Sequence, residues 1–210
     1  MLYAGTPLYP AVLVHVISVL YGDRMSSDNP TGGDNQQERP SSPNWLEEVP
    51  DDRGHWIAGF VDGEGSFNVP IRRERTRRLP WRVSLSFNVS QRGRQAADLM
   101  RSTFGVGTIR QRSDGVVYYE VTRPPHLEER ILPFFRRFPL RGSKASDLAV
   151  FEQILVLVQS GRHLDPQGIR EIMALRNRMN GGGKRHRSDR EILEVLVDWE
   201  SSEAIRKAPR

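Results

Sequence analysis

Hydrophobic positions recur with a period of two along two adjoining stretches of the chain. Phe67, Val69 and Ile71 alternate with Ser66, Asn68, Pro70 and Arg72; Val83, Leu85, Phe87 and Val89 alternate with Arg82, Ser84, Ser86, Asn88 and Ser90. That pattern predicts antiparallel strands with one buried and one solvated face. An Arg-rich turn over 72–80 joins them. A third strand is predicted over 108–112, with Thr108, Arg110 and Arg112 on one face, and a fourth over 116–123, with Val117, Tyr119 and Val121 inward. Asp114-Gly115 between them is a hairpin turn signal.

Helical signals fill the intervals. A short helix from about His55 ends in glycine, residues 93–104 stop at Gly105, and 126–138 bury Leu127, Ile131, Phe134, Phe135 and Phe138. The stretch 145–159 is nearly all apolar in its second half and needs cover. Shorter helices are predicted over 167–179 and 189–199, the second with a capping box at Ser188 and Glu191. The order is α-ββ-α-ββ-α with further helices behind it. This is an α+β chain whose four-stranded antiparallel sheet carries its helices on one face.

The first fifty residues read differently. Residues 8–21 form an apolar run of fourteen, too short to span a bilayer comfortably and lacking the basic flank of a secretory signal. Residues 22–44 are rich in Ser, Pro, Gly and Asn and are expected to be disordered. Met25 sits at this break and is a candidate translation start. The expected organisation is a loosely ordered extension over 1–50, a core over 51–160, its C-terminal helices over 161–200 and a tail over 201–210. Neither a membrane partner nor secretion is expected.

Composition then narrows the chemistry. The chain has 210 residues and no cysteine, which excludes disulfides, thiolate metal sites and cysteine nucleophiles. Its five histidines show no paired metal-binding spacing. Residues 1–50 carry a net charge of −4 and residues 51–210 a net of +9. Between 68 and 112 eleven Arg face only Glu74 and Asp98. Five of those Arg (72, 73, 75, 77 and 78) crowd one hairpin tip, where like charges repel unless a polyanion lies against them. Strand parity and charge select Ser66, Asn68, Arg72, Arg75, Arg77, Arg82, Ser84, Ser86, Asn88, Arg110, Arg112 and Tyr118 as candidate base and phosphate readers in a major groove. Trp81 reads as a core or loop anchor.

The stretch Ile57-Ala58-Gly59-Phe60-Val61-Asp62-Gly63-Glu64-Gly65 is the most informative. Gly59 and Gly63 lie four apart on one helical face beside Ala58, a spacing that lets two helices approach closely. Two such helices side by side would bring two copies of Glu64 together. Converging carboxylates of that kind suit a divalent cation with hard oxygen ligands.

Residues 56–67 resemble the signature of the LAGLIDADG homing endonucleases, with residues 57–65 matching nine positions when conservative exchanges are allowed. The similarity continues at FNVSQ (87–91), GVGTIRQR (105–112), LRGSKASDL (140–148) and RMNGGGKRH (178–186), covering roughly 53–200. It implies an αββαββα fold whose saddle-shaped sheet straddles duplex DNA. A second motif copy is absent, since LVDWES (196–201) lacks both glycines. One motif implies a homodimer meeting through Ile57, Ala58, Gly59, Phe60, Asp62 and Gly63, and a near-palindromic target.

The implied activity is Mg²⁺- or Mn²⁺-dependent phosphodiester hydrolysis making a sequence-specific double-strand cut. Glu64 and the Gly63 carbonyl take the metal-binding positions, Gln91 the water-organising one, and Arg141 or Lys144 the basic one near the scissile phosphate. Asp62 is expected to hold the helix end. The implied setting is a mobile intron or free-standing gene in a bacterial cytoplasm or organellar matrix. Maturase action on intron RNA, or DNA binding on a decayed nuclease fold, is the alternative.

Overall fold

In a computed structural model of the chain, residues 44–74, 76–182 and 189–207 are described. They all belong to one compact unit, Glu38–Arg210. The expectations for residues 1–43 of the N-terminal extension, including Met25, and for Arg75 and the 183–188 loop with its capping Ser188 lie outside these residues. Helix α1 spans Asp51–Glu64 and runs directly into β1, Gly65–Asn68. After a break at Val69-Pro70 the same line continues as β2, Ile71–Arg73. The return line is β3, Trp81–Val83, then β4, Ser86–Arg92. Pro70 has no N–H to give a ladder, but its carbonyl accepts from Ser84 at 3.1 Å and so bridges the break. Helix α2 (Gln95–Phe104) ends at Gly105, whose left-handed φ of 71° suits glycine. Strands β5 (Thr108–Gln111) and β6 (Val116–Val121) follow.

The main sheet has the order β1-β4-β6-β5, all antiparallel, and β2-β3 form a separate two-stranded ribbon. The period-two expectation holds. Phe67, Val69, Ile71, Val83, Leu85, Phe87, Val89, Val117, Tyr119 and Val121 are buried. Their face is covered by α2 and by two later helices, α3 (Pro124–Arg137) and α4 (Lys144–Gln159), and the aromatic contacts run continuously through it. Phe67 stacks on Phe87 at 5.3 Å and contacts Phe151 of α4 at 5.3 Å; Phe104 meets Phe134 at 4.8 Å. Tyr119 is fully buried, and its hydroxyl donates to the Val106 carbonyl at 2.8 Å. Burial pushes its phenol well above the usual range, so it remains a neutral donor. Trp81 is 2% exposed, an anchor rather than a surface contact.

Helix α3 begins at Pro124–His126, widens into a π turn over Leu127–Ile131 and finishes as Leu132–Arg137. The π turn lies just ahead of Pro133, which lacks the N–H that an α-helix needs. Helix α4 is Lys144–Gln159, α5 is Pro166–Arg176 and α6 is Asp189–Lys207. Two expectations are corrected. Order begins before Asp51, because Val49 is buried and the Arg130 guanidinium lies 4.8 Å over Trp45. Residues 201–207 are not a tail, since α6 continues through them and buries Glu203. No helix among the described residues is long and apolar enough to cross a membrane.

The buried Tyr119 hydroxyl gives the first test. Tyr119→Phe should keep the fold but lower stability by about 1–2 kcal/mol, because the Val106 carbonyl loses its donor in an apolar setting. Urea denaturation measures this, and an unchanged midpoint would show the bond to be energetically idle.

Candidate nucleic-acid interface and acidic helix end

The second face of the sheet is polar, and the strand register arranges it in rows. Ser66 pairs with Asn88, Asn88 with Glu120, and Glu120 with Thr108. The next row is Ser90, Tyr118 and Arg110; on the other side, Asn68 lies opposite Ser86. Ser66 donates to Asn68 at 3.2 Å. Asn68, Ser84, Asn88 and Tyr118 are half-exposed as expected, but Ser86 is only 9% exposed, which removes it as a ready base contact. Arg110 is paired with Glu120, and Arg112 donates to the Tyr118 hydroxyl at 3.0 Å and pairs with Asp114 at 3.1 Å. Those two neighbours raise the Arg112 guanidinium further above its ordinary value.

On the β2-β3 ribbon Arg72 stands directly opposite Arg82. Both are exposed, as are Arg73 and Arg92, and none of the four has an ion pair among the described residues. Like charges directly across a ladder destabilise it, so this pair is a free-energy cost to the isolated chain that an anion would relieve. Arg77 behaves differently, since it is held by Glu74 at 2.6 Å.

Helix α1 divides its residues sharply. Ile57 and Ala58, expected at a helix–helix contact, are 0% and 4% exposed and point into the chain's own core with Val61. The outward stripe is instead Trp56, Gly59, Phe60 and Gly63, spaced i, i+3, i+4 and i+7. Trp56 is 48% exposed and stacks on Phe60 at 5.0 Å. The glycines separate the same way. A Cβ at Gly54 would strike the Phe138 ring and one at Gly65 would strike Val61, but at Gly59 and Gly63 it would meet nothing within 4 Å. Glycine in a helix interior costs about 1 kcal/mol relative to alanine, and nothing in the described residues accounts for it at 59 and 63.

At the C-terminus of α1 the side chains are acidic, with no basic residue in the last turn. The helix dipole disfavours carboxylates there. Asp62 is compensated locally: its Oδ2 accepts from the Arg141 and Gly142 amides at 2.6 and 3.1 Å. Its Oδ1 is buried without a partner. Glu64 is exposed and makes no such contact. Gln91 lies two residues past the Gly65–Val89 pair, at the end of the sheet from which α1 enters, with Arg92 next to it.

The 141–144 turn holds both basic candidates. The Arg141 side chain is exposed, while Lys144, at the first position of α4, is mostly buried and lies 3.6 Å from Asp147. Asp147 is itself 6% exposed and accepts from the Asn180 amide at 2.7 Å; the Asn180 side chain donates to the Phe67 carbonyl at 3.0 Å. Sequence reasoning missed Asp147, Asn180, Glu120 and Trp56, because each matters through a partner distant in the chain or through its side of a helix.

No group of three or more His, Asp or Glu among the described residues could hold a metal. Glu64 and the Gly63 carbonyl are nevertheless oxygen donors of the kind a hard divalent cation takes, at the negative end of a helix.

The family model described as LAGLIDADG endonuclease matches residues 57–155. Probable intron-encoded endonuclease 3 of Neurospora crassa is 32% identical over 132 residues, covering 60% of this chain and 25% of that protein. The chain therefore spans about a quarter of that relative's length. The crystal structure of the homing endonuclease I-TnaI superposes with a TM-score of 0.60 at 29% identity, covering 70% of this chain and 97% of that one. Meganuclease I-SmaMI bound to uncleavable DNA superposes with a TM-score of 0.60 at 32% identity, covering 65% of this chain and 47% of that one.

The Asp62 contacts carry a stability prediction. Asp62→Ala should cost on the order of 2 kcal/mol, since two backbone amides lose a charged acceptor. Chemical denaturation reads this directly; a loss below about 0.5 kcal/mol, the scale of an ordinary surface substitution, would mean that water replaces the carboxylate.

Proposed function

We propose, from the premise that the chain belongs to the LAGLIDADG endonuclease family, that it is a homodimeric DNA endonuclease making a sequence-specific double-strand cut at a near-palindromic site. The observation that carries the reading is the conjunction at α1. An exposed carboxylate closes a helix whose outward stripe contains two glycines with open space above them. A second copy of α1 packed on that stripe would account for the glycines, cover Trp56 and bring the two Glu64 carboxylates together. The 47% coverage of a DNA-bound meganuclease supports the same arithmetic, with two such chains making one whole.

In this reading each residue has a defined task. Glu64 and the Gly63 carbonyl would hold a divalent cation, Mg²⁺ or Mn²⁺. When bound, the cation supplies Lewis-acid activation of water and charge stabilisation on the leaving oxygen. Gln91 orients water near the scissile phosphate from the adjacent sheet end. A cation of the 141–144 turn, Arg141 or Lys144, offsets the charge that develops on the phosphate. Asp62 fixes that turn against the helix end. Arg72, Arg82 and Arg92, with Asn68, Asn88 and Tyr118, face the duplex. The site of action is the compartment holding the target DNA, a bacterial cytoplasm or an organellar matrix.

The direct experiment is cleavage of a plasmid library carrying randomised sites, in Mg²⁺ and in EDTA. Cutting at one near-palindromic sequence in Mg²⁺ alone is expected. Glu64→Gln should lower the rate by at least about 100-fold while leaving DNA binding within a few-fold, as read by gel shift. A wild-type rate in that variant would remove Glu64 from catalysis.

The interface has its own test. Gly59→Leu should fold as stably as the parent, because open space lies above that position. It should also sediment as a monomer at concentrations where the parent is a dimer. Dimeric Gly59→Leu protein would rule out a close α1–α1 contact.

A further inference from the structure

The β2-β3 ribbon has features that should make it unstable. It is two-stranded with three cross-strand pairs, and Arg72 faces Arg82 across it. Isolated ribbons of this size are marginal in water, and the charge pair weakens this one further. Its tip is nonetheless anchored, and the anchor is far away in the sequence. Trp199 of α6 donates its indole N–H to the Arg78 carbonyl at 2.6 Å. The Arg78 guanidinium pairs with Glu203 at 3.1 Å and lies 5.9 Å from the Trp199 ring centroid. Glu203 is 7% exposed and also receives Arg206. Under the tip, Leu79 and Trp81 are buried.

Helix α6 is in turn fastened to the body. Ile192 and Leu196 are fully buried, and Glu200 takes both terminal nitrogens of Arg170 at 2.7 Å. One rigid element therefore runs from the core to the ribbon tip. The 162–164 turn touches the same region. Burial holds the His163 imidazole below its usual range, and the Arg77 charge adds to this.

We propose that α6 is a brace that fixes the β2-β3 ribbon in its DNA-reading position, with Trp199 and Glu203 as its positioning residues. The inference rests on the endonuclease reading and deepens it. It divides the arginines of the hairpin by role. Arg77 and Arg78 are spent on Glu74 and Glu203 and hold the tip, whereas Arg72 and Arg82, paired on the outer face of the ribbon, remain outward for nucleic acid. The β1-β2 line from Gly65 to Arg73 spans about 25–30 Å at roughly 3.3 Å per residue. With strands following the groove, at a rise of about 3.4 Å per base pair, the ribbon reads base pairs about seven to nine away from the α1 end. A fixed ribbon presents its cations without first having to be ordered, and this favours discrimination at those outer pairs.

The test uses the full chain with Trp199→Phe, which keeps the ring but removes the donor, and Glu203→Gln, which keeps the shape but removes the charge. Native-state trypsin cleavage after Arg77 and Arg78 is followed by mass spectrometry, with cleavage after Arg136 and Arg137 as the internal reference. Each variant should raise the hairpin rate about 5- to 10-fold with the reference rate unchanged. On target libraries each should relax base preference at the outer pairs and raise KM, with kcat and central-pair preference retained. Unchanged hairpin protection in both variants would overturn the brace. Faster hairpin cleavage with wild-type outer discrimination would overturn the reading role alone. A wild-type protein that binds no DNA would overturn the endonuclease reading and the reading role together, and the trypsin arm would still decide the brace.

Discussion

The carboxylate of Asp62 is the tie on which the geometry of the helix end depends. It joins the last turn of α1, the negative end of one helix dipole, to the amides of Arg141 and Gly142, just ahead of the positive end of α4. The two unfavourable ends thereby offset one another. The same contact places the turn bearing Arg141 and Lys144 beside the point where α1 becomes β1. Gly142 is part of the arrangement, because a Cβ there would come within 3.1 Å of Asp62 Oδ1. Asp62 thus serves the fold, while Glu64, two residues on, is exposed. The two acids of one motif are divided by their partners rather than by their type.

Three features of the surface are unfavourable in a lone chain and become reasonable when something covers them. The α1 stripe carries a half-exposed tryptophan and two glycines without local cause. Glu64 adds negative charge at a helix C-terminus. Arg72 opposes Arg82. Each violates a local rule of stability. On the proposed reading, self-association would answer the first, a divalent cation the second and a polyanion the third.

The strands were legible because their inner residues are apolar, their outer residues polar, and one face alone is buried. Position-by-position burial over 65–72 and 81–90 departs from that parity only at Ser86. Helix α1 was legible as an element but not in its orientation. Ile57 and Ala58 adjoin Gly59 in the chain, yet a 100° step per residue turns them to the opposite side. A motif read as a string conceals which face each letter occupies. The end of α6 was missed for another reason: residues 200–207 are mostly polar and carry no apolar period, and the burial of Glu203 depends on Arg78, 125 residues away. Asp147 and Asn180 were likewise hidden, since a buried aspartate that organises a distant amide looks in sequence like any helix-surface acid.

The charge pairing on the polar face bears on how such a surface discriminates. A hairpin and sheet rich in arginine could bind any duplex through counterion release alone, and this tends to submerge sequence preference. Here Glu120 sits in the middle row of the sheet and engages Arg110, while Glu74 and Glu203 engage Arg77 and Arg78. These acids lower the net charge that the face offers to phosphates. Glu120 also fixes the direction of the Arg110 guanidinium, and bidentate recognition of a guanine edge requires a fixed direction. Glu120 has a further consequence. A carboxylate pressed toward DNA must find a donor or bear the cost of desolvation, so it penalises sequences that leave it unmatched. On the proposed reading, the acidic residues on this basic surface would limit affinity for DNA in general and concentrate what remains on the sequences that satisfy them.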